Sequence, residues 1–314
     1  METVRPAMTE EQAEALMGSL LGPESYDRVV NADCDLRKPD GSPLLVLRRN
    51  AVPLGECRSA YRAFRRVNFD GGNRGYASGT GLSDKVRPGE VGLASKTRLR
   101  RLKKDGTVSN TSNAVAGRMQ QTSGIIGYFD RNARYPYCRL TAFNLDRPEA
   151  FAEALPFIRS VDGVFARELP GRYAAQKAVA ERTSPDFVIH GTAFTTVTVN
   201  RNWRTAAHKD AGDPKEGFGV LSVLRAGVFT GGLYVLPRWR LAVELNTRDV
   251  LLTDVHEVHG NTEIAGEPGA YERVSAVLYY RENMKHCGTA EQELEFAKNR
   301  KPGDPVRRAR PNGA

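Results

Sequence analysis

The sequence predicts a mainly β protein of the α+β class: an antiparallel barrel or jelly roll with helices laid along one sheet. Three observations carry this. Six short apolar runs crowd the stretch after Pro185, no helix-length periodic segment interrupts them, and the one long helical pattern lies immediately upstream. With 314 residues, 40% of them apolar, the chain is long enough to bury a core of that size.

In chain order, residues 1–44 open with METVRPAMTEEQAEALMGSLLG and read as a short helical leader, an N-terminal extension to the main domain. LLVLR is strand-like and RSAYRAFRRV helical. GGNRGYASGTG, residues 71–81, is too rich in glycine for the interior of either and reads as a loop that approaches a ligand or another backbone closely. SGIIGYFD and YCRLTAFN then resume short apolar runs. In RPEAFAEALPFIRSVDGVFAREL, apolar residues at three-to-four spacing predict one or two helices between 147 and 182, with Pro148 suited to a first turn. The strands follow in FVIHGTAFTTVTVN, GFGVLSVLRAG, GLYVLP, LAVEL, DVLLTDV and RVSAVLYYR, separated by glycine, proline, asparagine or charged turn residues. Residues 45–290 thus form one catalytic domain with its jelly-roll core over 185–285, and the basic residues 291–314 read as a disordered tail.

Composition excludes several classes. No window approaches the roughly 20 apolar residues of a membrane span, and acidic residues precede the first apolar patch where a secretory leader has basic ones. Neither a membrane partner nor secretion is expected, and the expected location is cytoplasmic, or wherever a nucleic-acid substrate resides. Cys34, Cys57, Cys138 and Cys287 lack CxxC or zinc spacing and read as free thiols of a reducing compartment. The 46 basic and 37 acidic residues give a net charge of +9, unevenly spread. SKTRLRRLKK alone gathers Lys96, Arg98, Arg100, Arg101, Lys103 and Lys104, and the tail adds a second cluster. A polyanion is the expected partner, nucleic acid being the usual one, although a single basic run is as often a solvated loop.

Chemistry enters at RTAAHKDAGD. On a strand, His208 and Asp210 stand at i and i+2 and share a face, while Lys209 points away. LLTDVHEVHGN offers His256 and His259 as competing second histidines. Two histidines and a carboxylate form the facial triad that holds non-haem Fe(II) with open positions, and the same set can hold zinc for hydrolysis. Arg273 and Ser275 also stand at i and i+2 on one strand. A guanidinium aimed inward needs a carboxylate that meets it in a fork. Either the distal carboxylate of 2-oxoglutarate supplies it, with the Ser275 hydroxyl as an added donor, or a protein acid such as Asp254 or Glu272 does.

The block TTVTVNRNWRTAAHKDAGD, followed by GFGVL, GG, VLP, LAVEL, DVLLTDVHEVHGNTEI and RVSAVLYYREN, resembles the TET/JBP family of Fe(II)- and 2-oxoglutarate-dependent dioxygenases, which oxidise the methyl group of a pyrimidine in nucleic acid. Upstream, NRGYASG, GIIGYFD and PYCRLTAFN share the likeness, so it spans about residues 45–287. The resemblance implies a double-stranded β-helix core, with Fe(II) held by His208, Asp210 and His259 and His256 left in a supporting place. It also implies 2-oxoglutarate anchored by Arg273, beside the Ser275 donor read above, and O2 as co-reactant; Arg204 or Arg139 is the next candidate for the anchor. Tyr279 falls where relatives carry an aromatic that stacks on the flipped base, Asp213 where they carry a residue facing the base, and Arg281 where they often carry a histidine. An ionised carboxylate only accepts, which suits the amino group of cytosine, and arginine only donates, which suits its N3 and O2. The expected substrate is therefore 5-methylcytosine in DNA, oxidised to 5-hydroxymethylcytosine, with the extent of any further oxidation left open by the sequence. Thymine hydroxylation to 5-hydroxymethyluracil is the alternative, followed by a non-catalytic DNA-binding module or a dioxygenase with a substrate outside nucleic acid. The DNA is duplex with its base flipped, or single-stranded, its phosphates held by the 95–104 cluster, and the enzyme is expected to be a monomer.

Overall fold

The computed structural model describes residues 1–67, 75–78, 123–132, 135–210, 214 and 217–299. Within them the strands are β1 (Glu2–Thr3), β2 (Arg28–Val30), β3 (Cys34–Arg37), β4 (Pro43–Arg48), β5 (Ser123–Phe129), β6 (Arg139–Leu140), β7 (Thr196–Arg201), β8 (Gly219–Ala226), β9 (Thr230–Gly231), β10 (Tyr234–Leu236), β11 (Leu241–Val243), β12 (Val250–Thr253), β13 (Gly260–Asn261), β14 (Ile264–Ala265) and β15 (Glu272–Tyr279). The α-helices are α1 (Glu10–Glu14), α2 (Leu54–Phe64), α3 (Ala142–Asp146), α4 (Pro148–Glu168), α5 (Pro170–Arg182) and α6 (Ala290–Lys298). All six expected runs after Pro185 contain strands, and the 147–182 pattern becomes α4 and α5, with a proline opening each helix.

Nine strands form one sheet in the order β1-β3-β4-β12-β8-β15-β7-β5-β6. A second sheet runs β13-β10-β11-β2, and β14 and β9 make a short ribbon. Period-two alternation gives the large sheet two buried faces. Val197, Val199, Val220, Leu224, Val250, Leu252, Val274, Ala276 and Leu278 pack with the apolar faces of α2 and α4, including Phe64, Phe157 and Phe165. Leu45, Leu47, Leu221, Val223 and Leu251 face the small sheet and meet Tyr234, Leu236, Leu241 and Val243. The mixed α/β sandwich matches a jelly roll in its two facing sheets.

The structure corrects four expectations. No closed barrel forms among the described residues: β4, β3 and β1 extend the large sheet beyond β12, so it runs outward instead of curling onto itself. The first 44 residues are not a helical leader. They hold one five-residue helix, while β1 and β2 pair in parallel with β3 and β11, placing this segment in both sheets. The C-terminal tail begins as α6, started by a capping box at Thr289 and Gln292 and anchored by buried Glu293. Finally, Cys138 and Cys287 are joined in a disulfide across 149 residues, with Cα atoms 5.8 Å apart, whereas Cys34 and Cys57 are free. The fold brings the start of β6 beside the segment before α6, a proximity that cysteine spacing does not encode. Among the described residues no helix is long and apolar enough to cross a membrane.

Candidate active site

A cavity of about 450 Å³ opens between the sheets, lined by residues of β7, β8, β10, β13 and β15 and by the segment after β7. His208 and Asp210 lie in that segment. They do not stand on a strand as expected: Asn202, at φ 48°, turns the chain after Arg201 and ends β7. The loop regains order by exchanging main-chain bonds with His259, His208 N–H to His259 O at 2.8 Å and the reverse at 2.9 Å. Asp210 N–H donates to Val255 O at 3.2 Å.

These bonds bring His208, Asp210 and His259 together, with one potential ligand atom from each within 4.8 Å of the others. Each imidazole is set from behind. Nδ1 of His208 lies 2.9 Å from Ala206 O and Nδ1 of His259 lies 2.9 Å from Glu257 O. A carbonyl only accepts, so each Nδ1 carries the proton and each Nε2 is left to face the centre. Those Nε2 atoms stand 3.3 and 3.8 Å from the Asp210 carboxylate. Burial, then the charge of His208, push His259 down to about 4, which keeps it neutral at pH 7. Burial, the largest single influence, would lower His208, but the hydrogen bond and charge of Asp210 together with the bonds to Ala206 and His259 outweigh it and raise it. Burial would raise Asp210, but the bond to His208 and the nearby imidazoles hold it below the ordinary carboxylate range. The donor set fits a divalent cation, which would replace the proton shared by His208 and Asp210. His256 bonds Asp254 instead, at 3.0 Å, and does not line the cavity.

On β15, Arg273, Ser275 and Tyr279 take the alternate positions that face the cavity. Arg273 is 5% exposed. Among the described residues its guanidinium has no hydrogen-bond or ion-pair partner, whereas its backbone is pinned by Asn202, N–H to Oδ1 at 2.7 Å. Glu272 pairs with Arg65 and Arg201 and accepts from Tyr61, and Asp254 pairs with Lys38. Both protein acids that offered an alternative are thus occupied. Burial, with Arg225 adding repulsion, lowers Arg273 to about 10, as expected of a cation lacking a counter-charge. Gly232 leaves room for it, since a Cβ there would stand 2.9 Å from Arg273 Cδ. A buried fork without an acid, facing the same cavity as the His–Asp–His cluster, fits the distal carboxylate of 2-oxoglutarate.

Arg204 does not line the cavity; its Nη2 donates to Leu21 O at 3.3 Å. Tyr279 does, with its hydroxyl 3.2 Å from Thr198 Oγ1. Arg281 also lines it and is paired to Asp130 at 2.7 Å. Sequence reasoning missed Asp130. It stands 151 residues from Arg281 and follows β5 in GYFD, where the only local signal is a carboxylate just past a strand end. Asp213 and the six basic residues Lys96, Arg98, Arg100, Arg101, Lys103 and Lys104 lie outside the described residues.

Two facing sheets with this cluster and this arginine place the chain among 2-oxoglutarate- and Fe(II)-dependent oxygenases, whose cofactor is Fe(II) and whose co-reactants are 2-oxoglutarate and O2. Residues 124–282 match Tet_JBP, the oxygenase domain of the 2OGFeDO superfamily, and the chain belongs to that family. It is 38% identical over 181 residues to thymine dioxygenase JBP1 of Trypanosoma brucei brucei, a match covering 55% of this chain and 21% of that protein. It is 34% identical over 180 residues to the bifunctional helicase and thymine dioxygenase JBP2 of Leishmania major, covering 57% and 16%. The match therefore spans about a fifth or less of these relatives' length. NgTET1, solved in complex with 5mC DNA, shares the fold with a TM-score of 0.53 at 13% identity, covering 93% of this chain and 100% of that one.

Proposed function

We propose that this oxygenase hydroxylates the methyl group of a pyrimidine in DNA, with thymine as the preferred base. The observation that carries the oxygenase chemistry is Arg273, buried in the cavity of the His–Asp–His cluster with no side-chain partner among the described residues. Fe(II), 2-oxoglutarate and O2 together would supply the oxidising power that hydroxylates the base methyl. His208, Asp210 and His259 would hold the metal on one side, leaving its other positions toward the cavity. Arg273 and Ser275 would take the distal carboxylate of 2-oxoglutarate and so fix its reacting end. Tyr279, held by Thr198, offers a ring for the base to rest on. Beside it, Asp130 accepts and Arg281 donates, so the pair can meet the N3–H and a carbonyl of thymine.

Thymine leads because the relatives sharing the oxygenase domain at 34 and 38% identity are named thymine dioxygenases, whereas the likeness to NgTET1 is one of fold. The second reading, 5-methylcytosine, is favoured by Asp213, whose carboxylate suits an exocyclic amino group. The six basic residues of 95–104 would bind phosphates of a duplex opened by base flipping, or of a single strand.

The test supplies Fe(II) and 2-oxoglutarate with an oligonucleotide holding both bases, then reads its nucleosides by mass spectrometry. 5-Hydroxymethyluracil should dominate, and His208→Ala or Asp210→Ala should abolish it while leaving a folded protein. Dominant 5-hydroxymethylcytosine would transfer the proposal to the second reading. Succinate formation indifferent to DNA would remove nucleic acid as the substrate.

A further inference from the structure

We infer that Lys209, the residue between the two outer metal-site side chains of HKD, is a positioning residue that latches their loop to the N-terminal segment. This rests on the proposed metal site. The loop from Arg204 to Asp210 belongs to no strand, and among the described residues its isolated β-bridge is with His259. Its other side is covered by residues 8–26, far outside the segment shared with the oxygenase family. Gly18 N–H donates to Ala207 O at 2.7 Å, and Ala207 N–H donates to Ser19 O at 2.8 Å. Ala13 and Leu21 bury themselves with Ala207 and Val258, the immediate neighbours of His208 and His259. Leu21 reaches within 3.1 Å of where a Cβ on Gly260 would stand. The N-terminal segment therefore forms the back wall of both histidine positions.

Lys209 closes this wall electrostatically. Its ammonium meets Glu10 at 2.7 Å and Glu14 at 2.6 Å, one turn apart on α1. Single exposed ion pairs contribute little, but here two carboxylates converge on one ammonium whose side chain is 25% exposed. The side chain follows His208 and precedes Asp210, so its attachment restrains the backbone torsions that aim both. Lys209 borders the cavity, but its ammonium is engaged by Glu10 and Glu14, so it would act on a bound metal through its neighbours.

The probe is Co(II), titrated into the full chain and followed by its visible absorption. Lys209→Met should weaken Co(II) affinity about tenfold, in the range of residues that orient ligands from behind. Lys209→Arg should restore most of it, as should Lys209→Glu combined with Glu10→Lys and Glu14→Lys. Affinity of the parent should fall with added salt more steeply than that of Lys209→Met, because the latch is partly exposed to screening. If Lys209→Met lowers the thermal midpoint, Glu10→Gln with Glu14→Gln makes the same test from the helix side. Parent-like affinity and salt response in these variants, with His208→Ala still abolishing Co(II) binding, would overturn the latch alone. Unchanged Co(II) binding by His208→Ala would overturn the metal site and the latch with it.

Discussion

Two buried arginines of this molecule, Arg131 and Arg273, answer to different needs. Arg131, with a side chain 5% exposed, is paired to Glu293 of α6, whose own side chain is 2% exposed. Glu293 further accepts from Cys138 N–H and Gly288 N–H, both at 2.7 Å, and the Cys138–Cys287 disulfide lies alongside. Arg273 is as deeply sealed but has no acid among the described residues. A buried cation whose counter-charge belongs to the chain serves the fold, because removing either partner strands the other. One with no counter-charge among the described residues suits a ligand that would bring it. The contrast separates structural from binding charges by where the compensating charge comes from, since their burial is alike.

The sharpest break is Glu293→Ala. It removes the carboxylate that Arg131 meets on α6 and the acceptor of the Cys138 and Gly288 amides, and should cost about 3–5 kcal/mol of stability in chemical denaturation, with little change in 2-oxoglutarate affinity. An unaltered denaturation midpoint would place Arg131 in the same class as Arg273. The converse change, Arg273→Ala, should spare or raise the midpoint, because it removes an uncompensated charge. It should nonetheless weaken 2-oxoglutarate binding about 100-fold, near 2.7 kcal/mol. Arg273→Lys should recover part of that loss, since an ammonium keeps the charge without the fork. Equal 2-oxoglutarate affinity in all three proteins would refute the anchor. The smallest effect is expected from Asp130→Asn, which turns a paired Arg281 into a less compensated one inside the cavity. A several-fold rise in KM for the DNA substrate is expected, with 2-oxoglutarate affinity kept, about 1 kcal/mol or less. A change confined to 2-oxoglutarate would move Asp130 to the Arg273 side of the comparison.

Much of this was legible because it is local. The runs from Thr196 to Tyr279 alternate and end at turn residues, so strands, and the inward facing of Arg273 and Ser275, follow from period two, whereas the place of Tyr279 follows from the family resemblance. His208 and Asp210 read correctly as neighbours on one side but not as strand residues, since any extended segment satisfies i and i+2. What stayed hidden depends on which distant pieces meet. The choice of β4 as partner for β12, the parallel docking of β1 and β2, the Asp130–Arg281 pair and the disulfide all join residues remote in sequence, where no periodicity reports the encounter.

The strand β12 lies between β4 and β8, pairing along its whole length with each. Residues 124–282, which carry the family likeness, contain only one of these partners. Transplanted alone into another protein, that portion would present β12 as a bare edge and uncover the leucines that Leu45 and Leu47 shield, an invitation to self-association. The segment that matches the family model is thus shorter than the sheet in which it sits, and a transfer of the chemistry should carry β4 along with it.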